Sequence, residues 1–172
     1  MKKLTITLSL ISSLLLVSFY SFTANNITLN FTGNIKAATC NLSGGNNIDI
    51  DFKRLPIDLF NAPQTSSEWK PFNINLNNCS SFVNQIKLTF SGSADTTDET
   101  SLYKNLGTAK NVAVQLQNGD GSVLLGNQKV LQVPLNGQTD AIIPLRTRAF
   151  SSLGNVVPGS ISANITATIT YL

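Results

Sequence analysis

Residues 26–36 read NITLNFTGNIK, and apolar and polar side chains alternate along this stretch. Because successive side chains of a β-strand point to opposite faces, the alternation predicts a strand with one apolar face and one polar face. The apolar row consists of Ile27, Leu29, Phe31, Gly33 and Ile35. The nine residues 27–35 would span roughly 30 Å, more than the usual strand of about five or six residues. Two interpretations are open: the first strand of an ordinary sandwich, or a strand that the chain donates to another molecule.

The segment before this strand predicts an exported protein. Two lysines precede an uncharged run from Leu4 to Ala24 that is rich in Leu, Ile and Val, which is the layout of a secretory signal peptide. We expect cleavage after Thr23 or Ala24, so that residues 1–24 are the signal and about 148 residues remain, enough for one domain. The run is also long enough for a membrane anchor, but its many Ser and Thr residues argue against one. After cleavage the protein is not expected to be an integral membrane protein.

Charge and residue types argue against several classes of function. The chain has 12 Lys and Arg against 9 Asp and Glu, and two of the lysines belong to the signal, so the mature protein is nearly neutral. It therefore lacks the basic footprint expected of a nucleic-acid-binding protein. It contains no His, the commonest general base and metal ligand, and no Ser or Thr has a credible catalytic partner. We expect no catalytic, cofactor-binding or metal-binding residues, and no enzymatic activity.

The two cysteines, Cys40 and Cys79, predict a disulfide, because an exported chain with an even number of cysteines usually pairs them. Closing a loop of about 40 residues would remove roughly 4 kcal/mol of conformational entropy from the unfolded state. Two free buried thiols are the alternative. A metal site at this pair is disfavoured, since the chain has no His and no neighbouring cysteine.

The rest of the mature chain predicts an all-β domain. Alternating apolar residues indicate strands at 47–52, 72–76, 81–90, 112–116, 123–125, 129–133 and 139–150, with a turn signal at 118–121. Residues 53–69 contain two prolines and predict a loop with a helical turn near 57–60, and residues 91–101 predict a solvated loop. Many short strands with Gly and Asn turns favour a β-sandwich.

The final run, SISANITATITYL at 160–172, carries the clearest alternation. Its apolar row is Ile161, Ala163, Ile165, Ala167, Ile169 and Tyr171, and Ser, Asn and Thr occupy the other row. Such a strand needs a core on one face and hydrogen-bonded neighbours along both edges. The sequence ends at Leu172, directly after it.

Taken together and in this order, these pieces resemble the type 1-like pilins, the fimbrial subunits of the chaperone–usher pathway. The matching pieces are the alternating N-terminal strand with Gly33, the residues 37–40 (AATC), the run 71–76 (PFNINL) leading to Cys79, the strand 112–116 (VAVQL) with its glycine turn, and the ending 159–171 with tyrosine second from last. Residues 61–69 depart from the family, which often has a glycine there.

The resemblance implies an incomplete immunoglobulin-like β-sandwich that lacks its last strand and is completed by a donor strand from another chain. Residues 25–36 would be the N-terminal donor-strand extension, and residues 37–172 the pilin domain. The apolar row of 27–35 would be donated, and the apolar row of 161–171 would contribute to the acceptor groove. In the family, a periplasmic chaperone lends a strand first, and the extension of the next subunit replaces it during assembly at the outer-membrane usher.

The function implied by the resemblance is that of a structural subunit, a major pilin or a minor adaptor, of a cell-surface fimbria that supports cell adhesion. Its partners would be other pilin subunits, the chaperone and the usher, with no nucleic acid. The alternative is a self-complete secreted β-sandwich that binds a ligand or a carbohydrate. A tip adhesin of this family would usually carry an extra lectin domain, for which about 148 residues leave no space.

Overall fold

The computed structural model describes residues 29–33 and 39–172 of the chain. The chain divides into two units, residues 1–35 and residues 36–172. In the first, the described residues 29–33 form no strand, and the side chains of Leu29 and Phe31 are 70% and 90% exposed. The predicted signal peptide, Ile27 and Ile35 lie outside the described residues.

Residues 39–172 form two antiparallel sheets. In chain order the strands are β1 (Asn41–Ser43), β2 (Thr65–Ser66), β3 (Lys70–Asn77), β4 (Gln85–Gly92), β5 (Ala94–Asp95), β6 (Asp98–Lys104), β7 (Ala113–Asn118), β8 (Val130–Pro134), β9 (Ala141–Ser151) and β10 (Ile165–Tyr171). The larger sheet has the order β1-β3-β9-β7-β6-β5, with β2 also beside β9, and the smaller sheet has the order β10-β4-β8. A short 3₁₀ helix at Ile57–Phe60 confirms the predicted helical turn.

Alternating sequence accounts for the core between the sheets. On β4, Ile86, Leu88 and Phe90 are at most 1% exposed, and on β9, Ile143 and Leu145 are 1% exposed. These rows belong to one hydrophobic cluster, to which β3, β7 and β10 also contribute. Because each strand turns every second residue inward, the polar residues between them lie on the outer faces.

The structure differs from the predictions for residues 91–101 and 123–125. Residues 91–101, predicted to be a solvated loop, instead contribute to β4, β5 and β6. The polar side chains there bond locally, since the Asp98 carboxylate accepts hydrogen bonds from the amide and the hydroxyl of Thr100, while buried Leu102 and Tyr103 hold the strand in the core. Residues 123–125, predicted to be a strand, form a single bridge between Gln117 and Leu124.

The predicted disulfide is confirmed. Cys40 and Cys79 are bonded and buried, which links the residue before β1 to the residues just after β3. Backbone bonds support the link, because Ser80 N donates to Thr39 O at 2.9 Å and Cys79 N donates to Thr139 O at 2.9 Å. The start of the domain is therefore fixed to the larger sheet.

Removing this disulfide should destabilise the domain. Replacing Cys40 and Cys79 together by alanine is expected to lower the free energy of unfolding by about 4 kcal/mol, because the unfolded chain regains the entropy of a closed loop of about 40 residues. Urea denaturation, followed through the fluorescence of Trp69, the single tryptophan, measures the loss. Reduced wild-type protein is the control and should match the variant, whereas a loss below about 1 kcal/mol would contradict the expectation.

Candidate functional site

The last strand, β10, has a neighbour on one edge only. It pairs with β4 from Ile165 to Tyr171, and among the described residues no strand pairs with its other edge. A strand edge presents a row of backbone donors and acceptors that need partners. The unpaired edge of β10 is therefore the candidate binding site of the domain.

Hydrogen bonds at the end of the ladder show which residues face this open edge. Leu172 N donates to Gln85 O at 2.9 Å, and Gln85 N donates to Leu172 O at 3.0 Å. Because hydrogen-bonded and non-hydrogen-bonded pairs alternate in an antiparallel ladder, the even-numbered residues of β10 turn their backbone groups toward β4. The odd-numbered residues turn theirs to the open edge, and these are Ile165, Ala167, Ile169 and Tyr171.

The same alternation continues before β10. Ser162 O accepts from Leu106 N at 2.7 Å, and Ser160 O accepts from Ala109 N at 3.1 Å. Ser162 N donates to Oδ1 of Asn105 at 2.8 Å. The even-numbered residues are thus bound to the loop at 105–109, which leaves the backbone of Ile161 and Ala163 on the open side. The structure brings all six residues of the predicted apolar row onto this one edge.

The side chains of this row cover the core only partly. Ile161, Ala163, Ile165, Ala167, Ile169 and Tyr171 pack against the main hydrophobic cluster, and all six remain half-buried. A groove of about 810 Å³ runs beside them. Its floor consists of core residues from both sheets, which are Phe72, Ile74, Phe90, Val114, Leu116 and Leu145.

Residues 45–52 form the other wall of the groove. The prediction of a strand at 47–52 is wrong, since these residues pair with no strand in the structure. Ile48 is 47% exposed, while Ile50 and Phe52 are half-buried. The alternation does place the apolar residues on one face, but no described strand lies beside 47–52 to form a ladder with it.

The electrostatics of the groove are simple. Among the described residues, Asp49 and Asp51 are its only charged lining residues, and hydrogen bonds from the amide and the ammonium group of Lys53 hold the pKa of Asp51 below its ordinary value. At the far end of β10, the hydroxyl of Tyr171 donates to Cys40 O at 3.1 Å. The groove therefore has an apolar floor, two carboxylates on the wall at 45–52 and backbone hydrogen-bonding groups along β10.

Residue types in the described part of the chain indicate no other chemistry. Within residues 29–33 and 39–172, no three His, Cys, Asp or Glu side chains cluster as a metal site would require. No helix of that part is long and apolar enough to cross a membrane. The sequence did not identify the groove floor or the wall at 45–52 as parts of the site, although the in-phase apolar residues at 72–76 and 112–116 predicted that the floor residues face the core.

Comparison with known proteins places this geometry among fimbrial proteins. The family model described as "Fimbrial protein" matches residues 29–172. The chain is 36% identical over 155 residues to the S-fimbrial adhesin protein SfaS of Escherichia coli O6:K15:H31 (strain 536 / UPEC), covering 88% of this chain and 89% of the relative. It is 31% identical to protein FimG of Escherichia coli (strain K12), covering 94% of each.

Solved structures show the same fold. The P pilus rod subunit PapA has a TM-score of 0.65 at 22% identity, over 77% of this chain and 99% of that one. A subunit from the structure of a chaperone–usher pilus has a TM-score of 0.67 at 19% identity, over 88% of this chain and 99% of that one. The expected immunoglobulin-like β-sandwich is confirmed.

Amide hydrogen exchange should reveal the open edge directly. In the isolated folded chain, the amides of Ile165, Ala167 and Ile169 should exchange at least about tenfold faster than those of Thr166 and Thr168, since only the latter are bonded to β4. Exchange followed residue by residue by NMR measures the ratio.

The control for this experiment is β4, which has a neighbour on each edge. Its odd and even positions, such as Lys87 and Leu88, should both be protected. Uniform protection along β10 would contradict the assignment of an open edge.

Proposed function

The chain belongs to the fimbrial protein family, and we propose that it joins its neighbours in the fibre by exchanging strands. As a fimbrial subunit it assembles with other subunits at the cell surface. In the proposal, residues 25–36 of one subunit fill the groove beside β10 of the next. The observation that carries the proposal is the open edge of β10, with six alternate residues offering backbone partners and apolar side chains to the same trough.

The dimensions of donor and groove agree. The row from Ile161 to Tyr171 covers eleven residues, roughly 35 Å of extended chain, and the donor row from Ile27 to Ile35 covers roughly 30 Å. Both rows alternate with period two, so one strand can place its apolar side chains in the trough and its polar side chains in water.

Burial of the donor row supplies enough free energy to hold a fibre together. Ile27, Leu29, Phe31 and Ile35 contribute about 1.5–3 kcal/mol each, or roughly 6–12 kcal/mol before entropic costs. The net stability of a typical domain is about 5–15 kcal/mol, so the exchanged strand matters as much as the fold itself. Gly33 in the same row allows close approach of the two backbones where a side chain would clash.

Export and assembly follow from the same need for a partner. Residues 1–24 direct the chain to the periplasm, where an unfilled groove would expose apolar surface to aggregation. A periplasmic chaperone that lends a strand would protect it until the usher presents the next subunit. Strand addition of this kind is an established recognition mode of chaperone–pilin complexes. The role is structural, and we assign no catalytic activity to the chain.

The self-complete sandwich is the competing assignment, and it requires residues 27–35 to pair within the chain's own sheet. Membership of the fimbrial protein family favours donation instead.

A peptide of residues 25–36 should displace the chaperone from the chaperone-bound chain, as followed over time on native gels. The Phe31→Asp peptide should bind at least about 100-fold more weakly, because it would bury a charge in the trough. The matched control is Thr32→Asp, which adds the same charge on the polar face and should compete like the unmodified peptide. Equal competition by all three peptides would refute the proposed register, and no displacement by any of them would refute donation itself.

A further inference from the structure

The outer face of the larger sheet carries a strip of cationic and aromatic side chains. On β9 the even-numbered residues point away from the core, and three of them are Arg146, Arg148 and Phe150. Trp69, just before β3, lies against both arginines, since its ring centroid is 4.5 Å from Cζ of Arg146 and 4.2 Å from Cζ of Arg148. Cζ of Arg148 also lies 5.3 Å from the Phe150 ring centroid. We call these four residues the basic strip.

Neutral groups hold the two guanidinium groups in place. Nε and Nη2 of Arg146 donate to Oε1 of Gln117 at 3.1 and 2.8 Å. Nε of Arg148 donates to Oε1 of Gln115 at 2.7 Å, and its Nη1 donates to Oγ of Ser66 at 2.8 Å. Carboxamides and hydroxyls orient a guanidinium without cancelling its charge. The arginines are therefore fixed but not neutralised.

No carboxylate in the described part of the chain forms an ion pair with either guanidinium group, since the one ion pair there is Lys53–Asp51. Asp120 lies in the turn at 118–121, where hydrogen bonds from Ser122 and, to a smaller extent, the charge of Arg146 lower its pKa. Arg146 is therefore compensated only in part. Desolvation, followed by the charge of Arg146, lowers the pKa of Arg148. The two guanidinium charges therefore lie side by side on a partly desolvated surface.

The strip is also rigid. β9 lies between β3 and β7 and forms ladders with both, so its backbone cannot shift. A Cβ at Gly121 would overlap Nη2 of Arg146, which means that the turn at 118–121 closes tightly against that guanidinium. Such pre-organisation lowers the entropic cost of binding a ligand.

We propose that the basic strip binds an acidic saccharide through a carboxylate or sulfate group. Arg146 and Arg148 are two residues apart on β9, so their Cα atoms are about 6.6 Å apart along the strand. Each keeps an Nη group that bonds to no described residue. A guanidinium group can donate two parallel hydrogen bonds to two oxygens of an oxyanion. The indole and phenyl rings add flat apolar area for the face of a sugar ring.

A saccharide suits this surface better than an acidic peptide does. Extended peptides commonly add to a sheet through an unpaired strand edge, and β9 is paired on both edges. Recognition at the strip therefore depends on side chains alone, which is the situation for sugars with hydroxyl and oxyanion groups.

Biosensor binding of the full chain, purified in its assembled fimbrial form, tests the proposal. The immobilised probes are a heparin hexasaccharide, a hyaluronan hexasaccharide, neutral chitohexaose and a hexaglutamate peptide. The chain should bind at least one acidic saccharide tenfold or more above the neutral sugar, with roughly this margin expected for one charge-assisted contact. Binding of heparin alone would identify sulfate as the recognised group, and binding of both acidic sugars would identify carboxylate; either supports the proposal.

Variants assign the binding to the strip. Arg146→Gln and Arg148→Gln should each weaken binding about tenfold, while Lys129→Gln, which removes the same charge from an exposed position before β8, should leave it unchanged. Arg148→Lys, which keeps the charge, should restore part of the lost affinity. If Arg148→Gln fails to assemble, Arg146→Gln decides the matter.

Two results would overturn the proposal. One is equal loss of affinity in Arg146→Gln and Lys129→Gln, which would indicate a diffuse charge effect. The other is binding of hexaglutamate as tight as that of either acidic saccharide, which would reassign the strip to an acidic protein surface.

Discussion

The open groove exists because β10 forms backbone hydrogen bonds along only one of its two edges in the described part of the chain. β10 gives every second peptide group to β4 and leaves the others along an edge with no partner among the described strands. Since an unpaired backbone group costs free energy comparable to a lost hydrogen bond when it is buried, this edge can be covered only by another backbone. Side chains on the same residues then decide which backbone fits, because they line an apolar trough.

In the proposed exchange, the strand that joins two subunits also raises the folding stability of the subunit that receives it. Whatever fills the groove binds the folded chain and not the unfolded one, so it raises stability by mass action. The disulfide lies near the C-terminal end of β10, where Cys40 O accepts a hydrogen bond from the hydroxyl of Tyr171. This bond ties the end of β10 to the start of the domain.

Alternation in the sequence predicted which residues face the core, but it did not predict which segments pair into a sheet. The rows of β3, β4, β9 and β10 were readable because period two places their apolar residues on one face. The wall at 47–52 shows the same alternation, yet it forms no strand, since a ladder requires a neighbour that sequence cannot supply. The polarity of residues 91–101 predicts a loop, although the buried Leu102 and Tyr103 that follow anchor a strand whose partner β7 lies farther along the chain.

The two proposals concern separate surfaces of the domain, the edge of β10 and the outer face of β9. The proposed strand exchange uses the edge of the smaller sheet and the odd-numbered residues of β10, whereas Arg146 and Arg148 lie on outward-facing positions of β9 in the larger sheet. Because β9 is hydrogen-bonded on both edges, its ladder does not depend on its outward side chains alone. A substitution in the basic strip can therefore alter what the surface recognises without altering the groove, so subunits that share one mode of polymerisation can carry different surfaces.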